Sequence, residues 1–195
     1  MEVPDDAEHT GVASGIAESL AQARGLIEAA RFDRAEAGLL ALLQQPLAPE
    51  QAVEAWYTLA VARRYGKDTS GALEAVDALL ALAPEHSRAF QERGYAFLAA
   101  NRPQDAAVAF GGAVELNPGL IGSWKALANL HDIAGREQQA NFARAQIEFL
   151  GTLPPALLAV IDLLHEGKLA KAEGLCRQFL KDHPHHIEAM LSLIH

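Results

Sequence analysis

The sequence predicts an all-α fold, a right-handed superhelical solenoid of antiparallel helix pairs, and three observations predict it. Trp56, Phe90 and Trp124 recur every 34 residues. Ala72, Ala106 and Ala140 follow them by sixteen residues each. Pro84 and Pro118 repeat at the same 34-residue interval. A period of this size marks a stacked array in which each unit is one helical hairpin, unable to bury its apolar face alone.

Taken in order, residues 1–15 are polar, contain Gly and Asp, and read as a disordered lead. The array is expected over 16–195, in units of about 16–50, 51–86, 87–120, 121–152 and 153–186, with a partial unit at 187–195. In the first unit Leu20, Ala23, Leu26 and Ile27 share one helix face. A second helix follows from Phe32, with Ala35, Leu39 and Leu42 inward. Two prolines in 44–50 break the regularity and stretch the step from Ala35 to Ala72 to 37 residues. The second unit pairs helices near 51–65 and 69–82, and Pro84 stops it. The third pairs 87–100 with 103–116, placing Pro103 where a missing N–H is harmless. The fourth pairs 120–134 with 137–150, and Gly135 stands where a helix end wants a left-handed residue. The fifth begins with Ala156 in place of the aromatic, yet keeps Gly167, Ala172 and Pro184 at a 32-residue step. The remainder reads as a first helix with no second, an apolar end at Ile187, Met190, Leu191 and Ile194.

Composition narrows the function. Half the residues are hydrophobic and only 6% aromatic, with Ala and Leu dominant, as closely packed helices require. A net charge of −9 opposes a nucleic-acid sheath, which needs a basic stripe. One cysteine excludes an internal disulfide, and the acidic start lacks the order of a secretory signal. No apolar run reaches membrane-spanning length. A cytoplasmic protein without nucleic-acid or membrane partners is expected.

These residues resemble the tetratricopeptide repeat (TPR). Its pattern sets a large residue, then Leu and a small residue three and four positions on, an Ala in the second helix and a closing Pro. The second unit reads Trp56, Leu59, Ala60, Ala72, Leu79, Pro84. The third reads Phe90, Gly94, Phe97, Ala106, Phe110, Pro118, with Arg93 in place of Leu; the fourth reads Trp124, Leu127, Ala128, Gly135, Ala140, Ile147. Val160 at a small-residue position and Arg144 at an apolar one depart from the pattern. The strings AVELNPGLIGSWKALANLHDIAGREQQA and GKLAKAEGLCRQFLKDHPHHIEAM also resemble the repeat region before the catalytic domain of bacterial sulfotransferases. The donor-binding P-R-S-G-T-T string of that family does not occur here, so this resemblance implies a repeat arm without its catalytic half.

The resemblance implies a groove lined by first helices. Its implied lining is Tyr57, Val61 and Arg64, then Arg88, Gln91 and Tyr95, then Lys125, Asn129 and Asp132. Of these, Tyr57, Arg64, Arg88, Gln91, Tyr95, Lys125 and Asn129 are the candidate binding residues. Two tyrosines, two arginines and a lysine suit an extended protein or peptide segment with carboxylate groups. A clamp for chaperone tails would further need Asn and then Lys plus Arg where Leu158, Glu188 and Ser192 stand, which excludes it.

No catalytic reading emerges. His183, His185 and His186 flank an inter-unit proline without a convergent carboxylate set, so they read as a polar turn, and no metal is expected. Cys176 falls in register with Val76 and Phe110 and reads as core. His131 and Asp132 are sequence neighbours and diverge on a helix. There is no Gly-rich phosphate loop, no G-x-S-x-G and no H-E-x-x-H, so neither catalysis nor a cofactor is expected. The expected function is a non-catalytic scaffold that captures a protein or peptide segment. The alternatives are the repeat arm of a larger enzyme, above all a sulfotransferase, and a self-association module working through the apolar C-terminal end.

Overall fold

A computed structural model describes residues 6–185, with side chains from Ser14 onward. The described residues form ten helices and no strand. They are α1 (Asp6–Glu28), α2 (Phe32–Leu43), α3 (Pro49–Tyr65), α4 (Thr69–Leu82), α5 (Ser87–Ala99), α6 (Pro103–Leu116), α7 (Ile121–Ile133), α8 (Glu137–Thr152), α9 (Pro155–His165) and α10 (Leu169–Asp182). Expected and observed helices agree closely from α2 to α8. The start differs: α1 begins at Asp6, ten residues before the expected onset. Ala7, Glu8 and Ala13 favour helix, and they offset the cost of carrying it through Gly11 and Gly15. The expected partial unit at 187–195 lies outside the described residues.

The chain divides into two compact units, Met1–Glu85 with Tyr95–Arg102, and His86–Gly94 with Pro103–His195. In the first unit α1 packs on α2, α2 on α3, and α3 on α4. In the second α6 packs on α7, α7 on α8, and α9 on α10.

Each hairpin turns by the same device. One residue after each first helix is left-handed: Ala30 (φ 55°), Lys67 (66°), Asn101 (56°), Gly135 (66°) and Gly167 (71°). In every case its N–H donates to the carbonyl three residues back, and the next N–H donates five residues back. Lys67 to Arg64 at 3.1 Å and Asp68 to Arg63 at 2.9 Å are one such pair. This is the Schellman closure, which satisfies the carbonyls a helix end leaves open. Glycine was expected at two of the five; the others tolerate a Cβ at a steric cost. Lys67→Gly should therefore stabilise the fold by about 0.5–1 kcal/mol, since relief of that cost outweighs the added freedom of the unfolded chain. Urea unfolding would read it, and a destabilised variant would contradict the turn assignment.

Small residues set the hairpin spacing. A Cβ on Gly94 would come within 2.7 Å of the Phe110 ring, and Phe110 is fully buried. Phe90 reciprocates over Gly112, where an added Cβ would meet its ring at 3.3 Å. Ala35, Ala72, Ala106, Ala140 and Ala172, the recurring alanines, are all 1% exposed or less.

The regular pattern changes at α8. Leu39, Val76, Phe110 and Cys176 occupy equivalent positions and are fully buried, whereas Arg144 in α8 is half exposed and pairs with Asp132. Glu148 likewise replaces the buried Val114. The chain then bends by 116° between α8 and α9. The hairpin α9–α10 closes around its own cluster of Leu157, Val160, Ala172 and Cys176, with Phe179 and Leu180 packed against it. A helix face carrying Arg144 and Glu148 receives an apolar neighbour only by desolvating charge.

Candidate binding surfaces

The seven candidate residues divide between the two units. Tyr57, Arg64 and Tyr95 belong to the first; Arg88, Gln91, Lys125 and Asn129 belong to the second.

In the first unit, Tyr57, Val61 and Arg64 follow one another along one face of α3, and all three are half-buried. The Arg64 guanidinium carbon lies 4.2 Å from the ring centre of Tyr65 and 5.0 Å from that of Tyr95. Tyr65 is itself stacked on Phe32, with ring centres 6.0 Å apart. The aromatic contacts restrain a side chain that otherwise has many rotamers. Its neighbour Arg63 has a different role. It donates to Glu36 at 2.8 Å and to the Gly71 carbonyl at 2.9 Å, tying α3 to α2 and to the start of α4. Adjacent arginines thus have different partners, a tie to α2 and α4 for Arg63 and aromatic rings for Arg64, which sequence spacing alone does not reveal.

In the second unit the structure gives Arg88 two carboxylates from within the chain. Its Nε donates to Glu166 at 2.8 Å and an Nη donates to Asp162 at 2.9 Å. Glu166 also accepts from Lys168 at 2.7 Å, and Asp162 from the Asn117 amide at 2.9 Å. Asn117 is fully buried and its oxygen accepts from Gly119 N–H at 2.8 Å, fixing the turn before α7. Burial would raise the Glu166 pKa, but hydrogen bonds from Lys168 and Arg88 outweigh it and hold the carboxyl below its ordinary value. Beside it, burial lowers His86, against the pull of Glu166. The neutral imidazole Nδ1 accepts from Ala89 N–H at 3.1 Å and caps α5. Arg88, expected to meet a ligand, is therefore a strut holding α9.

Gln91 donates to the fully buried Ser123 at 2.9 Å, a tie between α5 and α7. Lys125 and Asn129 are exposed, one turn apart on α7. Asp162, Glu166 and Asn117 escaped notice in the sequence. The one available signal was the four-residue spacing of Asp162 and Glu166, which puts both on one helix face.

Between α7 and α8 lies a cavity of about 290 Å³ lined by Trp124, Leu127, His131, Gln138, Gln139, Phe142 and Ala143. Trp124 meets Phe142 edge-on, ring centres 5.8 Å apart, and donates its indole N–H to Pro118 at 2.8 Å. Burial lowers the His131 pKa. Cys176 is fully buried, and burial pushes its thiol up, away from reactivity. Among the described residues, no group of three His, Cys, Asp or Glu side chains is placed to hold a metal, and no single helix is long and apolar enough to cross a membrane.

Tandem helical hairpins with close-packed alanines and a left-handed turn in each define a helical-repeat fold like that of tetratricopeptide repeats. Solved structures agree on that fold. MamA from Desulfovibrio magneticus is 20% identical over 70% of this chain and 75% of its own, with a TM-score of 0.60. A tetratricopeptide repeat protein from Parabacteroides merdae is 13% identical over 92% of this chain and 71% of its own, TM-score 0.61. TTC0263, a thermophilic TPR protein of Thermus thermophilus, is 19% identical over 92% of this chain and 97% of its own, TM-score 0.58. No family model matches the sequence. No curated protein matches it either.

Proposed function

We propose that this chain is a non-catalytic cytoplasmic scaffold that captures an extended peptide bearing carboxylates, through the face formed by Tyr57, Val61, Arg64 and Tyr95. The observation that carries this reading is the Arg64 guanidinium packed against the rings of Tyr65 and Tyr95. A restrained arginine loses little entropy on meeting a carboxylate. The tyrosines add flat contact area with few torsions to immobilise. In the second unit, Lys125 and Asn129 are exposed polar residues on α7. The resemblance to sulfotransferase repeat arms rests on the strings quoted above and adds no residue to this surface.

Titration with a synthetic Glu-rich hexapeptide of free carboxyl terminus tests it. Arg64→Glu should weaken binding by about tenfold or more, with far-UV circular dichroism unchanged. Arg64→Lys should weaken it less, keeping charge but losing the planar fork. Equal affinity for all three proteins removes this surface from consideration.

A further inference from the structure

The outward face of α8 carries an aromatic stripe that the fold leaves open. Phe142 and Phe149 are 59% and 58% exposed. They stand seven residues, and so two turns, apart. Gln138, Ala145 and Thr152 complete the stripe; all three are exposed and none ionises. Ala145, midway between the two rings, is small enough to let a second helix approach closely. Phe142 also forms one wall of the cavity of about 290 Å³ between α7 and α8, a space with room for a phenyl ring. Its edge-on contact with Trp124 makes an aromatic corner that favours a further ring in offset or T-shaped contact. The stripe thus carries a knob, Phe149, and a hole, the cavity beside Phe142, on the same helix.

We propose that this stripe is the contact of a two-fold homodimer, in which Phe149 of each copy enters the cavity beside Phe142 of the other. A knob and a hole on one face satisfy each other only through a dyad, the isologous arrangement of symmetric dimers. Antiparallel crossing of two α8 helices sets residue 142 opposite 149, and the dyad passes between Ala145 and Gln146. Charge leaves this face open to a second copy. The chain carries −9, so two copies repel where acids face each other. The stripe has no ionisable group and is where like-charged copies close without burying a charge. At its edge the same operation brings Glu148 toward Asn141 of the other copy. The Asn141 amide oxygen accepts from Arg144 at 2.7 Å, so the carboxylate arrives beside a cation that Asp132 already pairs.

Cysteine placed near the dyad tests the arrangement in the full chain. Ala145→Cys should form a disulfide-linked dimer under mild oxidation, and the fully buried Cys176 contributes little background. Adding Phe149→Ser should abolish the cross-link and weaken the dimer about tenfold or more in sedimentation, with helicity unchanged. Ser70→Cys, exposed on α4, serves as the control and should not cross-link. A chain that stays monomeric at high concentration overturns the proposal, as does a dimer indifferent to Phe149→Ser. A dimer lost only on deleting 186–195 assigns the contact to the apolar C-terminal segment and overturns it equally.

Discussion

Phe110→Ala should lower the stability of the protein by about 3–5 kcal/mol, the range for emptying a buried aromatic site. The ring is fully buried and closes the space over Gly94, where an added Cβ would lie 2.7 Å from it. Two helix backbones meet there with one side chain between them, so collapse into the vacated volume is restricted. Gly94→Ala tests the same contact from the opposite side and should cost about 1–3 kcal/mol by overpacking. Combining it with Phe110→Leu should cost less than the sum, because leucine withdraws atoms from the position the new methyl needs. A coupling of about 1 kcal/mol in a urea-unfolding cycle is expected. Strict additivity would mean the two residues do not share that space.

Arg88→Glu should detach the hairpin α9–α10 from its support. It removes two hydrogen-bonded ion pairs and leaves Asp162 and Glu166 facing a third carboxylate. These side chains are 19–32% exposed, so the full penalty for a buried pair does not apply; a loss of about 1–3 kcal/mol is expected. Cys176 reports the event locally. Its burial in the hairpin core makes its thiol slow to react, and labelling should accelerate as the hairpin opens. Arg88→Lys should fall between, because an ammonium is a point charge rather than a fork.

Acid should dissolve the same region in two steps. His86 is held below its ordinary 6.5, so its contribution is complete above 6.5 and is lost as pH falls from there through the lowered folded value. Glu166 is held below its ordinary 4.5. Its contribution is complete above 4.5 and disappears as pH falls through the still lower folded value. Arg88→Glu should diminish the second step, since Lys168 and Arg88 together lower Glu166 and the variant keeps only Lys168. An unchanged pH profile would contradict the role given to that pair.

The arginines show where sequence reading stops. Arg63, Arg64 and Arg88 look alike as cations on first helices. One ties three elements, one packs against two rings, and one binds two carboxylates more than seventy residues away. Periodicity places a residue on a face; it says nothing about which distant side chain arrives there. Arg144 was legible as an irregularity, an ion where the repeat wants an apolar group. The buried cluster that the next hairpin builds between its own two helices was not.

The helices from α2 to α8, their pairing into hairpins and their alanine-lined buried faces were legible in the amino-acid sequence. They follow from local spacing: aromatics and alanines at 34 residues, prolines at unit ends, and a turn at each hairpin. Local propensity and nearest-neighbour packing suffice for them, because each unit buries its core against adjacent helices. The three-dimensional packing was needed to learn that Arg88 serves α9, that Arg64 meets Tyr95, and that Phe149 stands open on the helix that walls an aromatic cavity. These depend on the angle at which α9 leaves α8 and on contacts between residues far apart in the chain. Such geometry is the sum of small packing choices, and no single short stretch of sequence encodes it.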